Sequence, residues 1–251
     1  VFVADTANQR IRKVTDATTS TIAGAATAGA ADGQGAAARL NLPTGIAYDA
    51  SRDRFYVADR GSDRIRLVSP DGAVSTLLDA AGSPVILDDP TDVAVGPDGA
   101  VYVAQAGANR ITKLALDAGQ RATATLIAGA ADGTPGLTEG AGTSARFNKP
   151  QGIAVDADGR VFVADGGNHR IRVLTPAGVS GYTVATAAGQ GSGTADGPAR
   201  TVGRLNDPAG LAVTPLGELF IADAGNHKIR KLTLAGDLVT VAGTGTAGST
   251  D

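Results

Sequence analysis

Cysteine, methionine and tryptophan are absent from this 251-residue chain, histidine occurs only as His169 and His227, and glutamate only as Glu139 and Glu218. Without cysteine there is neither a disulfide framework nor a thiolate metal site, and the compartment stays open because many secreted β-proteins carry no disulfides. Aromatic residues make up 4% of the chain, so the core must come from Val, Ile, Leu and Ala, whose small branched side chains suit closely packed sheets. No apolar run approaches the roughly 18 to 20 residues that a membrane helix needs. The net charge of −3 offers no field for a phosphate backbone, which argues against nucleic acid as a partner. No nucleophile-elbow, zincin or P-loop pattern occurs, so the sequence carries no signature of an enzyme.

What is present is repetition. One phrase occurs five times: VFVADTANQRIRKV from Val1, FYVADRGSDRIRLV from Phe55, VYVAQAGANRITKL from Val101, VFVADGGNHRIRVL from Val161 and LFIADAGNHKIRKL from Leu219. Its acidic position falls on Asp5, Asp59, Gln105, Asp165 and Asp223, a period at which one repeat is one supersecondary unit that must stack on its neighbours. Thirty-five glycines and abundant aspartate mark tight turns, so few helices are expected.

Each repeat reads as four short strands. The first is GIAYD at Gly45, DVAVG at Asp92, GIAVD at Gly152 and GLAVT at Gly210, each announced by a proline (Pro43, Pro90, Pro150, Pro208) suited to a strand entrance. A Gly- or Asp-containing hairpin turn leads to the second strand, V-F-V-A-D, whose continuous apolarity implies burial on both faces. In the third strand alternation puts Arg10, Arg12 and Val14 on one face, with arginine heads expected to reach water. The fourth is TSTIAG and its equivalents. Four antiparallel strands per unit with apolar inner strands indicate all-β propeller blades.

At these residues the chain resembles the NHL-repeat family of β-propellers. The family pattern P-x-G-I-A-V-D, V-Y-V-A-D, N-x-R-I-R-K stands at PQGIAVDADGRVFVADGGNHRIRVL (Pro150 to Leu174) and PAGLAVTPLGELFIADAGNHKIRKL (Pro208 to Leu232). The long linkers are similar to those of bacterial extracellular NHL arrays and of teneurin-type surface proteins. The resemblance implies one propeller domain over residues 1–251, a six-bladed ring of which five repeats are visible, and a chain that begins and ends inside a repeat as part of a larger polypeptide. The repeat from Thr91 to Asp117 departs from the pattern: Gln105 stands for Asp, Thr112 for the second Arg, and the preceding linker is short.

The candidate residues repeat with the fold. Asp5, Asp59, Asp165 and Asp223 sit where the second strand enters its turn and are expected to accept turn N–H groups or to pair with Arg10, Arg64, Arg170 or Lys228 five residues on. Such pairing makes them scaffold; the alternative is a ring of acid and base that seats a polar ligand. His169 and His227 share a slot filled elsewhere by Gln9, Asp63 and Ala108 and fall short of the three converging ligands of a catalytic zinc site. The pairs Asp32-Gly33, Asp132-Gly133 and Asp196-Gly197, with Asp251, read as turn makers. The D-x-D-G fragment at Asp156 lacks the rest of a calcium ligand series. Asp88 and Asp89 point to opposite sides of an extended chain and make a poor acid/base couple.

These readings lead to a non-catalytic interaction or scaffold domain of an extracellular or cell-envelope bacterial protein. It would need no cofactor, and would take a protein or glycan ligand on a loop face bearing Asp59, Arg64, Asp165, His169, Asp223 and His227. Two alternatives stand beside it: a metal-dependent propeller lyase or lactonase, and an RNA-binding NHL domain, which would need a basic face.

Overall fold

A computed structural model describes residues 1–178 and 181–248; Asp251 lies outside the described residues. The chain is all-β, built as five antiparallel blades without an α-helix among the described residues. Five blades are present where the resemblance implies six, because five copies of the strand phrase supply five second strands and the described chain contains no further copy.

The blades are not uniform. Blade 1 has three strands, Phe2–Asp5, Arg10–Val14 and Thr19–Gly24. Blade 3 has four: Pro90–Val95, Val101–Gln105, Arg110–Leu116 and Ala122–Ala128. Blades 2, 4 and 5 have five, because the linker entering each adds a two-residue strand (Gly33–Gln34, Gly140–Ala141, Gly197–Pro198) to the outer edge. The four strands read for each repeat are present in blades 2 to 5, and in three of these the long linker has enough free backbone to pair with the fourth strand as well, as Gly197 does with Leu238.

Within each blade the sequence reasoning carries through to register. The first strands start at Pro43, Pro90, Pro150 and Pro208, where a missing N–H costs no ladder bond; the register shifts between the proline and the following Ile or Leu in blades 2, 4 and 5, and between Pro90 and Asp92 in blade 3. The second strands of blades 3 and 4, Val101–Gln105 and Val161–Asp165, are buried at every residue, as their unbroken apolarity requires.

The chain divides into two compact units. The first comprises residues 1–107 and 112–125, the second residues 108–111 and 126–251. The first unit holds two apolar clusters. Ile11 and Ala23 of blade 1 meet Phe55, Val57 and Val68 of blade 2, while Tyr56, Ala58 and Ile65 meet Val93, Val101 and Val103 of blade 3. In the second, Ala164, Ile171 and Ala188 of blade 4 pack against Leu219, Ile221 and Leu238 of blade 5. First strands of adjacent blades approach closely: a Cβ at Gly152 would collide with the Ala209 carbonyl, and one at Gly45 with Asp92. Glycine is required there by contact, since neither position has a left-handed φ.

Candidate functional site

Each second strand runs into a three-residue 3-10 turn in four of the five repeats, Thr6–Asn8, Arg60–Ser62, Gly166–Asn168 and Ala224–Asn226. The turn ends on a residue held in the left-handed region: Gln9, Asp63, His169 or His227, with Asn109 in the same conformation in blade 3. The third strand starts one residue later. The aspartates before these turns and the arginines after them form the most regular polar arrangement in the chain.

Asp59, Asp165 and Asp223 are fully buried. One carboxylate oxygen of each accepts the backbone N–H of the linker asparagine that enters the blade: Asn41 at 2.5 Å, Asn148 at 2.7 Å and Asn206 at 2.7 Å. The other oxygen accepts from an arginine seven residues on: Arg66 at 3.1 Å, Arg172 at 3.2 Å and Arg230 at 2.9 Å. The expected partner five residues on is thus corrected. Asp59 and Arg64 lie opposite one another across the strand pair, yet the carboxylate reaches diagonally to Arg66, which is buried beside it.

Arg66, Arg172 and Arg230 are fully buried, so the expectation that these heads reach water is also corrected. Their second function explains the burial. Arg66 donates to the carbonyls of Ala31 and Arg39 and to Asp32; Arg230 donates to those of Ala195 and Arg204 and to Asp196; Arg172 donates to those of Thr138 and Arg146. Each guanidinium therefore ties both ends of a linker loop to its blade, using the fixed fork geometry that lysine lacks. Arg172 also lies 5.4 Å from the Phe147 ring centroid. Burial is the largest influence on the Asp59 and Asp165 carboxyls and pushes them up, against the pull of the Asn N–H and the arginine.

Blade 3 shows the same clamp in neutral form. Gln105 is fully buried, its Oε1 accepts the Asp88 N–H at 3.0 Å, and its amide donates to Thr112 Oγ1 at 2.5 Å. The two departures from the family pattern thus compensate each other. The linker over residues 77–89 folds back on itself through Val85 to Leu77 and offers no encircling loop for an arginine to hold.

A second series joins consecutive repeats. The left-handed residue accepts, through its side chain, the N–H of a linker residue that is itself left-handed: Gln9 from Leu42 (2.5 Å), Asp63 from Asp89 (3.0 Å), Asn109 from Lys149 (2.7 Å) and His169 Nδ1 from Asp207 (3.0 Å). The equivalent of His169 in blade 3 is accordingly Asn109, and Ala108 occupies the slot before it, with Asn8, Ser62, Asn168 and Asn226. Asn168 and Asn226 each bridge the buried aspartate to a linker carbonyl. His227 is exposed.

The remaining acidic motifs resolve into local bonds. Asp156 accepts the N–H groups of Asp158 and Arg160 and pairs with Arg160 Nε at 2.6 Å. Asp89 pairs with Arg60, with Oδ2 3.0 Å from Nη2. Asp132 accepts from Thr134, so the position matching Asp32 and Asp196 is Glu139, which precedes the added edge strand and accepts the Thr186 N–H at 2.7 Å. The Thr186 side chain first, and its N–H with it, hold the Glu139 carboxyl below its ordinary range against the opposing effect of burial. No group of three or more potential metal ligands exists among the described residues.

Of the six proposed ligand-face residues, Asp59, Asp165 and Asp223 lie inside the clamps, whereas Arg64, His169 and His227 are partly or fully exposed, each at the turn of its own blade. Sequence reasoning missed the arginine seven residues on and Glu139. The recurrence of Arg12, Arg66, Arg172 and Arg230, broken only by Thr112 opposite Gln105, was the available signal.

Comparison with known proteins agrees with this geometry. Residues 40–66, 147–174 and 205–232 match the family model described as the NHL repeat. The chain is 29% identical over 260 residues to Protein SUPPRESSOR OF QUENCHING 1, chloroplastic, of Arabidopsis thaliana, covering 93% of this chain and 24% of that protein. It is 31% identical to NHL repeat-containing protein 2 of Bos taurus (58% of this chain, 20% of that one) and 27% identical to teneurin-4 of Mus musculus (54% and 6%). It thus spans about a quarter or less of these relatives. Among solved structures, an auxiliary nutrient binding protein from Bacteroides ovatus superimposes with a TM-score of 0.65 at 20% identity, covering 82% of this chain and 50% of that one. Virginiamycin B lyase from Staphylococcus aureus gives 0.61 at 13% (96% and 65%), and a gluconolactonase from Xanthomonas campestris 0.66 at 17% (97% and 71%). Blades and strand phrase agree with the family match, and the chain carries three NHL repeats.

Proposed function

We propose that the chain is a non-catalytic binding or scaffold domain, presenting a turn edge to a protein or glycan ligand as part of a larger extracellular or cell-envelope bacterial protein. The observation that carries this reading is that the repeated acids and the arginines seven residues on are buried in one another and in linker carbonyls. The charged positions that the repeat specifies most regularly are used for rigidity. Loops on a rigid scaffold are a common place for recognition, and a nutrient binding protein shares the fold. Arg64 in the first unit, and His169 and His227 in the second, are ligand-facing positions of their own units in this reading, with the buried aspartates as support.

A second reading, a propeller lyase or lactonase, draws on the fold shared with virginiamycin B lyase and the gluconolactonase. One experiment separates them. The purified chain is screened against glycan and peptide arrays and, with divalent metals added, against virginiamycin B and gluconolactone. Saturable ligand binding without turnover supports the binding domain. Metal-dependent turnover lost on chelation overturns it.

A further inference from the structure

Five cations in repeat register remain after the clamps are accounted for. Arg10, Arg64, Arg110, Arg170 and Lys228 each open the third strand directly after the left-handed turn residue. All are half-buried, and the Nε atoms of Arg64, Arg110 and Arg170 are buried without an acceptor. Among the described residues no carboxylate or carbonyl engages any of the five side chains, whereas Arg12, Arg66, Arg172 and Arg230, two residues further on, all face an aspartate. The second unit by itself holds three of them, Arg110, Arg170 and Lys228, in successive blades. Exposed Lys149 stands at the same edge, its backbone N–H held by Asn109. Acidic neighbours at this edge are turned to other bonds: Asp132 accepts from Thr134, Asp207 from Gln151 Nε2 at 2.6 Å, and Asp165 and Asp223 are buried against Arg172 and Arg230.

We infer that this edge of the second unit, through Arg110, Arg170 and Lys228, binds an extended acidic polypeptide segment. The inference rests on the reading of the chain as a binding domain and names the chemistry of its ligand. Stems already held in the structure lose little freedom when the heads are engaged, so an anion gains charge-assisted bonds at low entropic cost. Spacing selects the kind of anion. Packed sheets stand about 10 Å apart, so equivalent cations on successive blades are too distant for one phosphate or carboxylate to bridge. A polyproline-II chain has three residues per turn and rises about 3.1 Å per residue, so acidic side chains at every third position lie on one face and match that interval. The net charge of −3 disfavours a long polyanion, which gathers its affinity from many phosphate contacts, and leaves a short acidic peptide as the better fit.

The test is fluorescence anisotropy with a labelled peptide carrying glutamate at every third position between glycine and serine, read at low and physiological ionic strength. The same composition with contiguous glutamates, inorganic phosphate and a thymidine oligonucleotide serve as comparators. The spaced peptide is expected to bind more tightly than any of these. The triple variant Arg110→Gln, Arg170→Gln, Lys228→Gln should weaken it about tenfold or more and flatten its salt dependence. The charge-keeping triple Arg110→Lys, Arg170→Lys, Lys228→Arg should retain most of the affinity, and it keeps the test decisive if the neutral triple unfolds. No binding of the spaced peptide, binding undiminished by the neutral triple, or tighter binding of the oligonucleotide overturns the inference. A glycan or protein ligand found on the arrays whose affinity is untouched by the neutral triple would overturn this assignment while leaving the binding-domain reading in place.

Discussion

Arg172 donates to Asp165 across 3.2 Å with both side chains fully buried, and the same guanidinium holds the carbonyls of Thr138 and Arg146 at the two ends of one linker loop. Burial works against such a pair, as the raised Asp165 carboxyl shows, so its value lies in fixing where the linker runs. Breaking one half is costly, because the other is left as an uncompensated charge. Asp165→Ala should therefore lower unfolding stability by about 3 to 5 kcal/mol in urea titration. A loss under about 1 kcal/mol would show that the pair is dispensable.

Blade 3 supplies the converse. Gln105 and Thr112 satisfy each other without charge, and the linker over residues 77–89 offers no pair of carbonyls to an arginine there. Installing the standard pair, Gln105→Asp with Thr112→Arg, should destabilise the chain by several kcal/mol, since a guanidinium would be buried with only its aspartate as partner. A melting temperature equal to that of the parent would contradict this account of the departure.

His169 joins blade 4 to the linker of blade 5 by accepting the Asp207 N–H, and Asn109 does the same for Lys149. His169→Asn should keep that bond and most of the stability, while His169→Leu should cost about 0.5 to 1.5 kcal/mol from the lost acceptor. The cost should appear as faster amide exchange at Asp207. Equal protection of that amide in both variants would remove the histidine from the interblade bond.

Glu139 gives a pH signature. Its folded value is lowered, chiefly by its bonds to Thr186, so its stabilising contribution is present above the ordinary glutamate value of about 4.3 and disappears as pH falls through the lowered folded value. Glu139→Gln should flatten the acid limb of the stability curve in that window. Asp59 and Asp165 carry the opposite sign: with raised folded values their contribution is present at low pH and lost as pH rises through those values. An unchanged acid limb in Glu139→Gln would assign the slope to other carboxylates.

The fold was largely legible in the sequence because each strand phrase is local. The proline entrance, the apolar V-F-V-A-D run and the glycine turn each specify their own geometry. What the sequence hid was diagonal and distant. Strand alternation puts Arg64 and Arg66 on the same face, and nothing in their spacing says that Asp59 passes over the first to reach the second. The linker carbonyls that complete the clamp belong to irregular backbone with no pattern to read. Ala108 is one residue out of register with the histidines: four residues on from Gln105 and directly before Arg110 stands Asn109, and its left-handed φ agrees with that count.

The repeated aspartates and the arginines seven residues on act as scaffold. A double-mutant cycle on Asp165 and Arg172, using Asp165→Asn, Arg172→Gln and the double variant, tests it directly by urea unfolding. A favourable coupling of about 1.5 kcal/mol or more is expected, with ligand binding affected only as far as folding is. Coupling near zero, with stability intact and ligand binding abolished by Asp165→Asn alone, would contradict it and return these acids to the binding site.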